Sequence, residues 1–413
     1  METTHAIEQL ASAALADIRR AGLKAPARVI CAVGGLAQAG ALARELAGGR
    51  PALLLTCSAL SAPTGPAARL RADLLRQGVP VELLAGLDHE PTVAAVDAAA
   101  ARAHAVRPGL IVSLGGGSVM DCAKAVAALA VNPGSAAEYL EGLGSRTTLA
   151  QPPRPHLAIP TTAGTGAEAT RNAVITAPDR GGKKSMRFDG LLPAVALLDP
   201  ELTRSVPRAA TAAGGLDTLT QLLEACLSHK RTPATSALAW RGLRLVHAAL
   251  PVCCDRPQDL TARSAMLLAS FLSGVCLANA GLGMAHGIAA ALGALHDVPH
   301  GLACGLLLPA TLRYNRAGCA PELAAALAAF LNLDAPRPPD ANAAPANDAV
   351  IDTGLAAIEA LQRRLGVPAD LRHLQLDERA LQRLAAMSMG NSMAANPVPM
   401  DPARTLAFLR TLA

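Results

Sequence analysis

Three histidines, His286, His296 and His300, stand in the run AHGIAAALGALHDVPHG (285–301), where Asp297 is the one acidic side chain. Imidazoles clustered in apolar surroundings can hold a divalent cation or move a proton near neutral pH. By spacing alone His296 and His300 are the natural pair, because residues four apart share one face of a helix. Pro299 argues against that pairing. A proline disfavours the helical conformation of the residue before it, so a continuous helix through both histidines is not expected. Spacing therefore leaves open which of the three act together.

Two further stretches carry binding chemistry. In LGGGSVMDCAK (114–124), three glycines lie between an apolar strand-like run and a helix-like one. Glycines let a ligand approach the backbone, and the free N–H groups at the start of a helix favour an anion such as a pyrophosphate. The pattern is not GxGxxG, so a standard Rossmann fingerprint is not assigned. In IPTTAGTGAEATRNAVI (159–175), hydroxyls and two glycines follow a strand-like run. Thr161, Thr162 and Thr165 are candidate hydrogen-bond donors to phosphate or ribose. Two such loops at strand ends imply a nucleotide lying across the edge of an open parallel sheet.

The elements that must position these groups are legible in the periodicity. Strand-like runs ARVICAV, PALLLT, VPVELLAG, GLIVSLGGGS, HLAIPTT and AVALLD alternate with amphipathic helical segments. That alternation predicts a parallel sheet with crossover helices. Beyond about residue 203 only helical spacing remains, as in LDTLTQLLEACLSH and TARSAMLLASFLSGVCLA. The expected fold is an α/β nucleotide-binding domain over 1–205 and an all-α domain over 206–413. A Pro/Ala/Asn-rich loop is expected at 334–348.

Composition limits the partners. Of the 413 residues 51% are hydrophobic and 2% aromatic, so the cores are built from Ala, Leu and Val and no aromatic platform for nucleic acid is expected. The net charge of +5 is spread without a basic block. Nine cysteines without a CxxC pair read as reduced thiols, and the first twenty residues carry acids rather than a signal-peptide pattern, so a cytoplasmic protein is expected. Residues 264–296 contain no Asp, Glu, Lys or Arg, a length that could span a bilayer. Asn279, His286 and the scattered Ser and Gly favour instead a helix or helix pair buried within an all-α domain.

Taken in order, GGGSVMDCAK, PTTAGTGAE, DPELT, GGLDTLTQLLEA and GLGMAHGIAAALGALHDVPHGLACGLLLP resemble the signature segments of the iron-containing (group III) alcohol dehydrogenase family, over nearly the whole chain. The resemblance implies a dehydroquinate-synthase-like architecture, NAD(P)H bound by the first half, and a divalent iron or zinc ion between the halves. It implies that Gly115, Gly116, Gly117, Ser118 and Asp121 line the pyrophosphate and nicotinamide region, and that Thr161, Thr162 and Thr165 hold the cofactor. It implies Asp217, Gln221, His286 and His300 at the metal positions, with Asp217, His286 and His300 catalytic and His296 a neighbour only. Two positions depart from the family: Gln221 stands where it usually has a histidine, and Ala290 where many members carry another. Cys57 replaces an acid that often recognises the adenosine ribose, so NADPH is expected to be accepted.

The implied reaction is reversible hydride transfer between a nicotinamide and a small alcohol or aldehyde, by a homodimer or larger homo-oligomer. Two related chemistries compete. A maleylacetate-reductase-like oxo-acid reductase would use Lys183, Lys184, Arg187 and Arg171 for carboxylates, and a dehydroquinate-synthase-like lyase would use a Glu and two His with several Lys, a set that DTLTQ does not match. A non-catalytic nucleotide-binding module is the third possibility.

Overall fold

A computed structural model describes residues 4–177, 182–333 and 344–413. The first half is a six-stranded parallel sheet built from β1 (Arg28–Cys31), β2 (Ala52–Thr56), β3 (Val81–Leu84), β4 (Leu110–Gly115), β5 (His156–Pro160) and, after the hairpin β6 (Asn172–Ala177) and β7 (Gly182–Arg187), β8 (Val195–Leu198). The spatial order is β1-β8-β5-β4-β2-β3. Strands β2, β4 and β5 are buried throughout, as continuous apolar runs in a sheet covered on both faces should be. Helices α2 (Ala39–Ala47), α3 (Pro66–Arg76), α4 (Val93–Val106) and α5 (Gly117–Leu129) make the crossovers. Their apolar faces close separate cores on the two sides of the sheet.

The second half is helical: α6 (Arg208–Leu227), α7 (Pro233–Asp255), α8 (Leu260–Ala280), α9 (Met284–His296), α10 (His300–Phe330), α11 (Ala344–Leu365), α12 (Glu378–Met387) and α13 (Pro402–Arg410). The chain's first helix, α1 (Thr4–Arg20), precedes β1 yet buries Ile7, Ala11, Ala14 and Ile18 in the helical core, against α7 and α8. Their i, i+4, i+7 spacing makes one apolar stripe, and the helical half supplies most of its partner surface, with β1 at its edge. The loop expected at 334–348 lies outside the described residues as far as 343, and α11 begins at Ala344.

The uncharged stretch at 264–296 is two helices rather than one span. Helix α8 is long and apolar enough to cross a membrane, and 83% of its apolar window is buried inside the molecule. Helices α9 and α10 are separated at 297–299, where Asp297 adopts a left-handed conformation (φ 52°). Pro299 caps α10, so His296 ends one helix and His300 starts the next, as the proline requires.

Candidate active site

Helix α6 places Asp217, Gln221 and Glu224 on one face, since positions i, i+4 and i+7 coincide on a helix. All three are buried. Polar groups removed from water must find partners, and each of these does. Glu224 accepts the backbone N–H groups of Gly283 (3.0 Å) and Ala285 (2.6 Å) at the start of α9. Its Oε2 also lies 2.6 Å from His286 Nδ1. A carboxylate only accepts, so Nδ1 carries the proton and Nε2 is directed away, towards Asp217 Oδ1 at 3.1 Å.

His286 is therefore held between two carboxylates, one on each ring nitrogen. Burial works against charging the ring, but the neighbouring Cys304 sulfur, Glu224 and Asp217 outweigh it and hold its pKa well above the ordinary value. Burial likewise opposes ionisation of Asp217. The hydrogen bond from His286 and the nearby His300 overcome it, leaving the carboxyl below its usual range. His300, also raised against the effect of burial by Cys304 and Asp217, has its Nε2 at 4.0 Å from Asp217 Oδ1. The two imidazoles face each other edge to face at 5.5 Å between centroids.

Helix α10 brings its first turn onto α6 through two glycines. A Cβ at Gly301 would strike the Ala213 carbonyl, and one at Gly305 would come within 2.8 Å of Leu216 Cβ. Close backbone approach is what glycine permits here. It sets His300 and Cys304 against Asp217, with Cys304 Sγ 3.6 Å from His300 Nε2. The ligand atoms of Asp217, His286, His300 and Cys304 all lie within 4.8 Å of one another. One carboxylate oxygen, two imidazole nitrogens and a thiol sulfur form a donor set of the right composition for a divalent ion, with Glu224 orienting a ligand from behind.

Gln221 sits beside this group with its nitrogen end inward. The Thr165 carbonyl, which can only accept, takes Nε2–H at 3.2 Å, and Nε2 also lies 3.3 Å from Asp217 Oδ1. The amide oxygen faces the Ser273 hydroxyl at 2.9 Å. His296, at the far end of α9, is outside the cluster.

Asp217, Gln221, His286 and His300 form the floor of a cavity of about 650 Å³ between the two halves. Gly117, Ser118, Asp121 and Thr165 line its opposite side. Helix α5 starts at Gly117 with no side-chain cap on Gly116, so its first N–H groups carry the partial positive charge that suits a phosphate. A Cβ at Gly117 would meet Thr165 Oγ1 at 2.8 Å, and one at Gly116 would meet Thr162 Oγ1 at 3.2 Å, so the two signature loops touch. Gly115, Gly116, Thr161 and Thr162 are not among the residues that line the cavity. Gly115 pairs with Pro160 in the sheet and accepts the Thr161 N–H at 3.0 Å. Asp121 holds the Val174 N–H (3.0 Å) and the buried Lys124 ammonium (3.0 Å), which also reaches Thr170 and the Asn172 carbonyl.

The glycines of PTTAGTG do other work than cradling an anion. Ser270 Oγ accepts the Gly164 N–H (2.9 Å), and the Gly164 carbonyl accepts from the Thr218 hydroxyl (2.9 Å). Gly166, at φ 60°, lies backbone to backbone against Gly274 of α8. The loop is thereby docked on the helical half. Of the four cations considered for a dicarboxylate, Lys183 pairs with Glu90, Arg187 with Glu141 and Arg171 with Asp189.

Sequence reading missed Glu224 and Cys304. The signal for each was helical spacing, seven residues after Asp217 and four after His300.

Residues 26–200 match the iron-containing alcohol dehydrogenase family, and residues 211–413 match the C-terminal domain of the Fe-containing alcohol dehydrogenase family. The chain is 36% identical over 294 residues to the probable alcohol dehydrogenase EutG of Escherichia coli K12, covering 71% of this chain and 73% of that protein. It is 34% identical over 356 residues to the 1,3-propanediol dehydrogenase of Klebsiella pneumoniae, covering 86% and 89%. Among solved structures, a 1,3-propanediol oxidoreductase superposes with a TM-score of 0.85 at 30% identity over 95% of this chain and 99% of the other. A sulfoacetaldehyde reductase from Bifidobacterium kashiwanohense, in complex with NAD+, gives 0.80 at 28% identity over 94% and 97%. With both halves matched in order, the chain belongs to the iron-containing alcohol dehydrogenase family.

Proposed function

We propose that this protein interconverts a small alcohol and its aldehyde, with the nicotinamide cofactor entering along the α5 terminus and the reacting oxygen directed at Asp217, His286 and His300. The observation that carries the reading is that these three side chains and the uncapped start of α5 face one cavity of about 650 Å³. Asp217, His286 and His300 would hold a divalent ion, which when bound would supply positive charge to a carbonyl or alkoxide oxygen, while a bound nicotinamide would exchange the hydride. The protein's own contribution is alignment and dryness. Glu224 fixes the His286 ring, Gln221 donates to Asp217 and ties it to the Thr165 loop, and Leu277, Leu282, Ala290, Ala294 and Met387 make an apolar wall around the substrate. Ala290, where many relatives by resemblance carry a histidine, leaves room on that wall for a carbon chain rather than a polar group.

The oxo-acid reductase and the lyase are not favoured, since the matched relatives are alcohol and propanediol dehydrogenases and three of the four cations are already paired. The nine cysteines, all free, suit a reducing compartment such as the cytoplasm. The test is oxidation of NADH and NADPH by the purified full chain against a panel of short aldehydes and oxo acids. Aldehyde-dependent turnover is expected, and turnover with oxo acids alone would replace this reading.

For the cofactor, Cys57 directly follows β2 without a carboxylate of its own, which supports use of NADPH at least as well as NADH. One observation favours the opposite preference. Asp88 holds the Ser58 N–H at 2.7 Å and the Ser58 hydroxyl at 2.6 Å, bringing a negative charge beside Cys57. If Cys57 decides, Cys57→Asp shifts preference to NADH and Asp88→Asn changes little. If Asp88 decides, wild type prefers NADH and Asp88→Asn moves it to NADPH.

A further inference from the structure

We propose that Cys304 is a direct ligand of the bound metal, supplying from α10 the fourth donor that residue 221 does not, and that the site therefore prefers zinc to ferrous iron. The proposal rests on Asp217, His286 and His300 holding a divalent ion. Three observations support it. The Cys304 sulfur belongs to the same group of ligand atoms, all within 4.8 Å of one another. It is buried and lies 3.6 Å from His300 Nε2, one helical turn along the same face. Gln221, by contrast, has its amide oxygen on Ser273 and its nitrogen on the acceptor-only Thr165 carbonyl, so no lone pair of its side chain faces the cluster. An amide nitrogen is a donor of hydrogen bonds and not a metal ligand.

The placement of Cys304 is built into the packing. Gly305 directly follows it, and a Cβ there would press within 2.8 Å of Leu216 Cβ, so α10 can lie this close to α6 only at a glycine. The sulfur is thus brought to Asp217 by the same contact that brings His300. Thiolate is a softer donor than imidazole or carboxylate and favours zinc over hard cations, whereas ferrous iron lies below zinc in affinity for most nitrogen and oxygen sites as well.

The experiment is cobalt(II) titration of the metal-stripped full-length protein, followed by absorbance. Wild type is expected to bind one cobalt per chain with visible ligand-field bands and a sulfur-to-cobalt charge-transfer band in the near ultraviolet. Cys304→Ser should lose the charge-transfer band, keep ligand-field bands and weaken binding by more than the roughly 10–100-fold typical of losing a group behind the ligands. Cys304→Ala serves the same purpose if the serine variant folds poorly. Adding Gln221→His to Cys304→Ser should recover affinity without the sulfur band, since it returns a nitrogen donor from the other side. In competition, wild type should retain zinc over iron(II), and Cys304→Ser should narrow that preference towards the smaller one of a nitrogen and oxygen site. Cobalt bound by wild type without a sulfur band, or equally by Cys304→Ser, overturns the role of Cys304 and leaves the three-ligand reading standing. No cobalt bound by wild type overturns both.

Discussion

Glu168, in the signature PTTAGTGAE, is buried with its Oε1 lacking a hydrogen-bond partner. Burial drives its pKa from 4.5 up to about 7, only partly offset by its own backbone N–H and by Lys124. A carboxyl whose folded value lies above its unfolded one binds an extra proton when folded, so its contribution is greatest below pH 4.5 and is lost as the pH rises towards 7. Glu168→Gln should therefore stabilise the protein at pH 8 by on the order of 3 kcal/mol and leave it unchanged below pH 4.5. Thermal unfolding across that range measures it, and equal shifts at both ends would show that folding does not raise the Glu168 pKa. The metal side of the site was legible only in part for a related reason. Asp217, His286 and His300 are picked out by resemblance, whereas Glu224 and Cys304 look in sequence like one acid in a helix and one small core residue. Only the packing of α6, α9 and α10 gives them partners.

At the level of elements, the contact between α6 and α10 sets the site more than any single ligand does. Gly301→Val would place side-chain atoms against the Ala213 carbonyl and push the first turn of α10 outward. Overpacking of this kind costs about 1–3 kcal/mol. Zinc affinity is expected to fall more steeply than stability, because His300 and Cys304 move together while the rest of α10 stays packed. Zinc titration alongside thermal unfolding checks this, and undiminished zinc binding would show that the helix end adjusts independently. The sheet strands and the long helices were readable because their apolar runs or stripes are long. Strands β6 and β7 were not, since NAVITA mixes polar with apolar residues and GKKSMR carries three cations with one buried residue, Met186. The partner of α1 was hidden for a different reason: an apolar stripe tells that a face is buried but not against what.

Across the whole molecule, the two halves meet through glycines. Gly164 and Gly166 carry the loop after β5 onto α6 and α8, and the cavity opens between that loop and the α9–α10 turn. Helix α8, apolar enough to suggest a membrane span, is the centre of the helical core that receives α1, α6 and α7. In the proposed reaction, hydride transfer would depend on a metal floor belonging to one half and a cofactor loop belonging to the other. The most direct measurement is turnover of a short aldehyde with NAD(P)H by protein stripped of metal with a chelator and then titrated with zinc or iron(II). Activity should vanish on stripping and return in proportion to metal bound, while His286→Ala stays inactive and binds little metal at any concentration. Full activity in stripped protein of verified metal content, or an active His286→Ala, would contradict the account.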